Sequence, residues 1–191
     1  DYKVGIKQSY ADLVVVSTPT STHYKIAKFA LQNDKHILVE KPMAITVGTC
    51  RMMSEAAEKN NRVLSVAENY RRDPSARLVN HLLNAGAIGR PYHAILHHLS
   101  PGRKIFITPW RHQKERGGFL LDMAVHFPHM IRYQLGDIAE VYGDARMVAP
   151  VVQGLPAASL NVDRVFTRTI LRKKNMLQFF RAIFICILVI N

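Results

Sequence analysis

Two groups of residues carry side chains suited to proton transfer. The first closes the apolar run HILVE with Glu40, Lys41 and Pro42. A lysine directly after a buried strand has its backbone held by the sheet. Neighbouring charge and partial burial can then tune its ammonium as a proton donor or carbonyl polariser. Pro42 restricts φ and turns the chain away, and an X-Pro bond can be cis where a tight turn requires it. Glu40 can orient the lysine or a ligand hydroxyl. The plainer alternative is that a charged pair and a proline simply end a strand.

The second group lies in GGFLLDMAVHFPHMIRYQLGD, read as one helix closed by Gly136. At about 3.6 residues per turn, Asp122, His126, His129 and Tyr133 form one stripe, with Leu120, Met123, Phe127 and Met130 opposite. Asp122 and His126 are four apart, and a carboxylate beside an imidazole raises its basicity and fixes its orientation. Such a pair suits proton exchange with a hydroxyl. A solvated helix face and a weak metal pair are the alternatives; spacing supplies no third ligand, and no metal site is expected. Pro128 removes the amide bond to the Ala124 carbonyl and predicts a kink next to His126. Trp110 and Arg111, just ahead of Gly117 and Gly118, suit substrate binding, since arginine donates to hydroxyls and tryptophan offers a flat face. Packing of the Trp in a core is equally open.

These residues need a scaffold that brings strand ends together. LVVVS (Leu13 to Ser17), HILVE (His36 to Glu40) and VLSVA (Val63 to Ala67) are short apolar runs of the type buried on both faces. Between the first two, Ser21 or Thr22 can cap a helix that aligns Tyr24, Ala27, Ala30 and Leu31. Between the second and third, Thr46 can cap one that aligns Val47, Cys50, Met53 and Ala57. Strand and helix alternate, which predicts a parallel sheet whose carboxyl ends share one ligand-binding edge. Asp73 and Pro74 start a further helix through Leu78, Leu82 and Leu83, terminated at Gly86. Beyond Gly89 the alternation stops. YHAILHHLS and AEVYGDARMV read as strands and PGRKIFITPW as a loop with a short strand. The fold class is α/β: a partial Rossmann-type parallel sheet in residues 1–89, then the start of an α+β substrate domain in residues 90–150.

Residues 151–191 read as an atypical basic and apolar tail, truncated or aberrant. A buried terminal element and a surface helix on a membrane are the alternatives. Its apolar end, Ala182 to Ile190, is too short for the roughly 20 residues a spanning helix needs. The net charge of +12 is spread thinly over the body and more densely in this tail, with no basic block, C2H2 or RNP-type motif beside it. A nucleic-acid partner is therefore not expected, nor a membrane. Two distant cysteines, Cys50 and Cys186, make neither a disulfide framework nor a zinc site and suit a reducing cytoplasm. The chain opens on Asp1 and not on Met, and reads as a fragment. No GxGxxG, GxxxxGK[ST] or GxSxG motif occurs in it.

DLVVVSTPTSTHYKIAKFALQNDKHILVEKP, VAENYRRDP, GAIGRP and GGFLLDMAVH, in that order and spacing, resemble the Gfo/Idh/MocA family of nicotinamide-dependent oxidoreductases over roughly Asp12 to Pro150. The resemblance implies a Rossmann domain, a substrate domain whose open sheet mediates homo-oligomers, and hydride exchange between NAD or NADP and a secondary alcohol or carbonyl of a sugar or polyol. It makes Lys41, Asp122 and His126 catalytic. It puts Thr18, Pro19, Thr20, His23, Glu40, Lys41 and Asn69 beside the cofactor and, more weakly, Tyr70 and Arg71 beside the substrate. The family's glycine-rich turn would precede Asp1 and the rest of its sheet would follow Pro150, so this chain is expected to bind cofactor weakly and to be inactive by itself. A non-catalytic Rossmann-like binding module is the other reading.

Overall fold

The computed structural model describes residues 1–98, 110, 113–143, 169–172 and 187–189. The chain divides into two compact units, Asp1–Glu68 and Asn69–Asn191.

The first unit opens with a helix that the sequence reading left out, α1 (Tyr2–Gln8), started by the Asp1 carboxylate accepting from the Lys3 amide at 2.8 Å. Asp at an N-cap was its sequence signal. There follow β1 (Leu13–Val16), α2 (Thr20–Leu31), β2 (His36–Glu40), α3 (Val47–Lys59) and β3 (Leu64–Ala67). The strands pair in parallel in the order β1-β2-β3, with Val16 beside Val39 and Glu40 beside Ala67, so their carboxyl ends share one edge as expected. Met53, Ala57, Ala27, Ala30 and Leu31 from the two helices pack with Ile37 and Val39 of the central strand, all 5% exposed or less. Thr46 caps α3, accepting from the Thr49 amide at 3.1 Å.

Two expectations are corrected in this unit. Pro19, and neither Ser21 nor Thr22, is the N-cap of α2; Thr22 turns its hydroxyl back onto the Pro19 carbonyl instead. β1 is not buried on both faces: Val16 is buried and Val14 packs against the core, but Leu13 and Val15, which alternate onto the other face, are 48% and 60% exposed, because nothing among the described residues covers that face.

In the second unit a 3₁₀ turn, Tyr70–Arg72, leads into α4 (Pro74–Asn84). Asp73 caps α4 through the Ser75 and Ala76 amides. At its other end Gly86, at φ 73°, donates to the Leu83 carbonyl while Ala87 donates to that of Leu82. This pair of bonds needs the left-handed conformation that glycine adopts without strain. After a second 3₁₀ turn, Lys114–Arg116, come α5 (Gly118–Ala124), α6 (His126–Leu135) and β4 (Glu140–Gly143). β4 pairs antiparallel with β5 (Thr169–Arg172) on one side and β6 (Ile187–Val189) on the other.

The expected single helix is thus two, broken at Val125, three residues before Pro128. A proline in the first turn of a new helix needs no amide partner, so the chain resolves the missing bond by restarting. The strand expected in YHAILHHLS is absent: residues 92–98 form no regular element, and Tyr92 and Ile95 are 99% and 71% exposed, since no described strand pairs with them. The short strand expected in PGRKIFITPW lies outside the described residues, as does most of the tail. Ile187–Val189, inside the stretch for which a surface helix was one option, is a strand. No helix among the described residues is long and apolar enough to cross a membrane.

Candidate functional site

The edge of the parallel sheet is built by three strand ends and one buried imidazole. After β1, Thr18 is exposed and its hydroxyl lies 2.6 Å from that of Thr22; Pro19 is half-buried and Thr20 buried at the start of α2. After β2, the Glu40 carboxylate folds back to accept from the Lys41 amide at 3.1 Å, and the Lys41–Pro42 bond is cis. Lys41 is half-buried and Pro42 buried.

His23 ties these two strand ends together. Its ring is 1% exposed, with Nε2 2.7 Å from the Thr18 carbonyl oxygen and Nδ1 3.0 Å from that of Pro42 and 3.3 Å from that of Met43. Carbonyl oxygens only accept, so each ring nitrogen that bonds must carry a proton. The neutral ring can satisfy one side and the imidazolium both. The resemblance puts His23 beside the cofactor, and its contacts here are with the Thr18 carbonyl and the backbone of the lysine turn. That arrangement depends on a residue 19 positions away, which helical spacing does not reveal.

In the second unit the polar stripe is covered, which decides against a solvated helix face. Asp122 is 5% and His126 3% exposed. Asp122 belongs to α5 and His126 opens α6, with Val125 between the two helices at φ −56° and ψ −31°. Over His126 lies the ring of Tyr70, centroids 4.0 Å apart and planes 8° from parallel. One residue on, the Arg71 guanidinium sits 4.7 Å from the centre of the Tyr133 ring. Two consecutive residues of the 3₁₀ turn thus cover two stripe residues seven apart on α6. The same helix is held from α4, where Asn80 Nδ2 donates to the Tyr133 carbonyl at 2.6 Å.

Asn69 is exposed and opens the second unit. Trp110 is half-buried, its carbonyl accepting from the Gln113 amide at 3.1 Å, whereas Arg111 lies outside the described residues. Lys41 belongs to the first unit and Asp122 and His126 to the second. The buried polar and charged residues among those described are Thr20, His23, Asp122 and His126, and each is in the set singled out from the sequence. Burying such groups costs free energy unless they are bonded, and His23 meets this condition through backbone carbonyls. Cys50, by contrast, is an unsuitable nucleophile: burial pushes its thiol above the ordinary range, which disfavours the thiolate. No cluster of three metal-binding side chains occurs among the described residues.

Residues 3–68 match the family model described as oxidoreductase family, NAD-binding Rossmann fold, and residues 76–171 the model described as GFO/IDH/MocA C-terminal domain. Levoglucosan dehydrogenase of Pseudarthrobacter phenanthrenivorans is 34% identical over 145 residues, 74% of this chain and 37% of the relative. The NAD(+)-dependent scyllo-inositol 2-dehydrogenase of Bacillus subtilis is 30% identical over 138 residues, 72% of this chain and 39% of that one. A solved structure of levoglucosan dehydrogenase with NADH and levoglucosan is similar at a TM-score of 0.67 and 33% identity, over 78% of this chain and 42% of that one. The chain spans about two fifths of the length of these curated relatives.

Proposed function

The chain belongs to the Gfo/Idh/MocA family of oxidoreductases, and on that premise we propose that its residues serve hydride transfer between NAD and a secondary alcohol or carbonyl of a sugar or cyclic polyol. The observation that carries the reading is the burial of a carboxylate and an imidazole, Asp122 and His126, the imidazole beneath the Tyr70 ring. His126 exchanges the hydroxyl proton, Asp122 orients the imidazole, and Lys41 stabilises negative charge developing on the substrate oxygen. When bound, the nicotinamide supplies or accepts the hydride.

The sheet edge suits the nicotinamide end of such a cofactor. Thr18 presents an exposed side chain at the head of α2, and Glu40 and Lys41 supply an acceptor and a donor at the next strand end. Pro19 and Thr20 follow Thr18 directly, and the exposed Asn69 comes two residues after the end of β3. His23 acts here through the backbone it bonds. Tyr70, Arg71, Trp110 and Arg111 are assigned to substrate binding. The reducing cytoplasm that suits two distant cysteines and the homo-oligomer that the resemblance implies belong to the same proposal.

Amide-resolved NMR of the chain with millimolar NADH is expected to shift Thr18, Thr20, Glu40 and Lys41 ahead of the rest of the first unit. In a form extended by the family's glycine-rich turn and the rest of its sheet, hydride transfer from a panel of inositols and anhydrosugars, followed by nicotinamide absorbance, should fall roughly 100-fold or more in Lys41→Ala and His126→Ala. A cofactor that leaves those amides unmoved, or turnover unchanged by both substitutions, overturns the reading in favour of a non-catalytic binding module.

A further inference from the structure

We propose that Tyr70 is a positioning residue: its ring, laid face to face on His126, sets the plane of the imidazole and so the directions in which its two nitrogens point. This rests on the assignment of His126 as the proton-exchanging group. An imidazole carries its hydrogen-bonding atoms on its edge, and the torsion that swings that edge is broad and roughly two-fold. A parallel ring at 4.0 Å blocks the swing, since turning the imidazole out of plane drives its edge into the phenol face. His126 is the first residue of α6, at its junction with α5, and the helical backbone there does not fix the ring torsion.

The stacking ring is itself held. The turn that carries it is closed by Arg72 and Asp73 amides donating to the Asn69 and Tyr70 carbonyls at 2.9 and 3.3 Å. Its next residue, Arg71, is seated on Tyr133 of the same helix, two turns beyond His126. Two contacts two turns apart fix both the position of the turn along α6 and its rotation. The Asp73 cap ties its far end to α4. Tyr70 thus has one ring face committed to His126, a role distinct from the substrate contact assigned by resemblance.

The direct test is NMR on the unmodified chain. NOEs between the Tyr70 ring protons and His126 Cε1–H are expected, together with an upfield ring-current shift of the His126 ring resonances. The absence of both overturns the proposal without any variant. Tyr70→Phe should keep the shift and Tyr70→Leu should abolish it while the amide spectrum of α6 persists. In the turnover assay Tyr70→Leu should lose about 10- to 100-fold in kcat, and Tyr70→Phe, which keeps the stacking ring, should lose less. Full kcat in Tyr70→Leu overturns the positioning role. Full turnover in His126→Ala overturns the underlying assignment instead, so the two failures are distinguishable.

Discussion

The His23 ring fastens the turn after β2 to the turn after β1: its Nδ1 lies 3.0 Å from the Pro42 carbonyl oxygen and its Nε2 2.7 Å from that of Thr18. Replacing it by leucine removes the ring donor and leaves at least one of these carbonyls without it. Such a group costs about 1–3 kcal/mol, so His23→Leu is expected to destabilise the first unit by about 1 kcal/mol or more. Hydrogen exchange of the β1 and β2 amides reads this unit alone and checks the value. An unchanged exchange rate would show that the fastening contributes nothing to stability.

The core of the same unit allows a sharper contrast between neighbours. Met53 on α3 is fully buried and Met52 is 48% exposed. Met53→Ala should cost about 2–5 kcal/mol through lost burial and the cavity left behind. Met52→Ala should stay within about 0.5 kcal/mol. Exchange rates of α3 and β2 amides in the two variants should therefore differ by orders of magnitude. Similar rates would place the α3 packing face elsewhere.

Asp73 makes the start of α4 sensitive to acid. The Ser75 hydroxyl, then the Ser75 and Ala76 amides, donate to its carboxylate and hold its pKa below the ordinary carboxylate value. A folded pKa below the unfolded one gives stability that is present above about pH 4 and lost as pH falls through the lower folded value. Protection of the Ser75 and Ala76 amides should be flat from neutral pH down to about 4 and decline below it. In Asp73→Ala the decline should vanish and the protection be lower throughout. A decline that survives that substitution would have another origin.

Much of the scaffold was legible because its signals are local. Thr46 and Asp73 cap helices through amides two or three residues away, and Gly86 ends α4 where a left-handed residue is needed. The three parallel strands and the edge they share follow from the alternation of apolar runs with helical ones. The misreadings have one cause in common, a partner remote in sequence. β1 looked buried on both faces, but burial depends on what covers it. Residues 92–98 looked like a strand, but a strand requires a pairing neighbour. Pro128 announced a distortion near His126, but whether the helix bends or restarts is settled by packing.

The candidate site divides in the same way. The sequence by itself determined which side chains can donate, accept or exchange a proton, that Lys41 follows a sheet strand, and that Asp122 and His126 recur at helical spacing. Those properties are carried by residue type and by neighbours a few positions away. Only the tertiary structure decided that His23 faces the backbone of the lysine turn, that Asp122 and His126 lie on separate helices, and that Tyr70 stacks on the imidazole. His23 and Pro42 are 19 residues apart and Tyr70 and His126 are 56 apart, separations that folding bridges and that leave no periodic trace in the sequence.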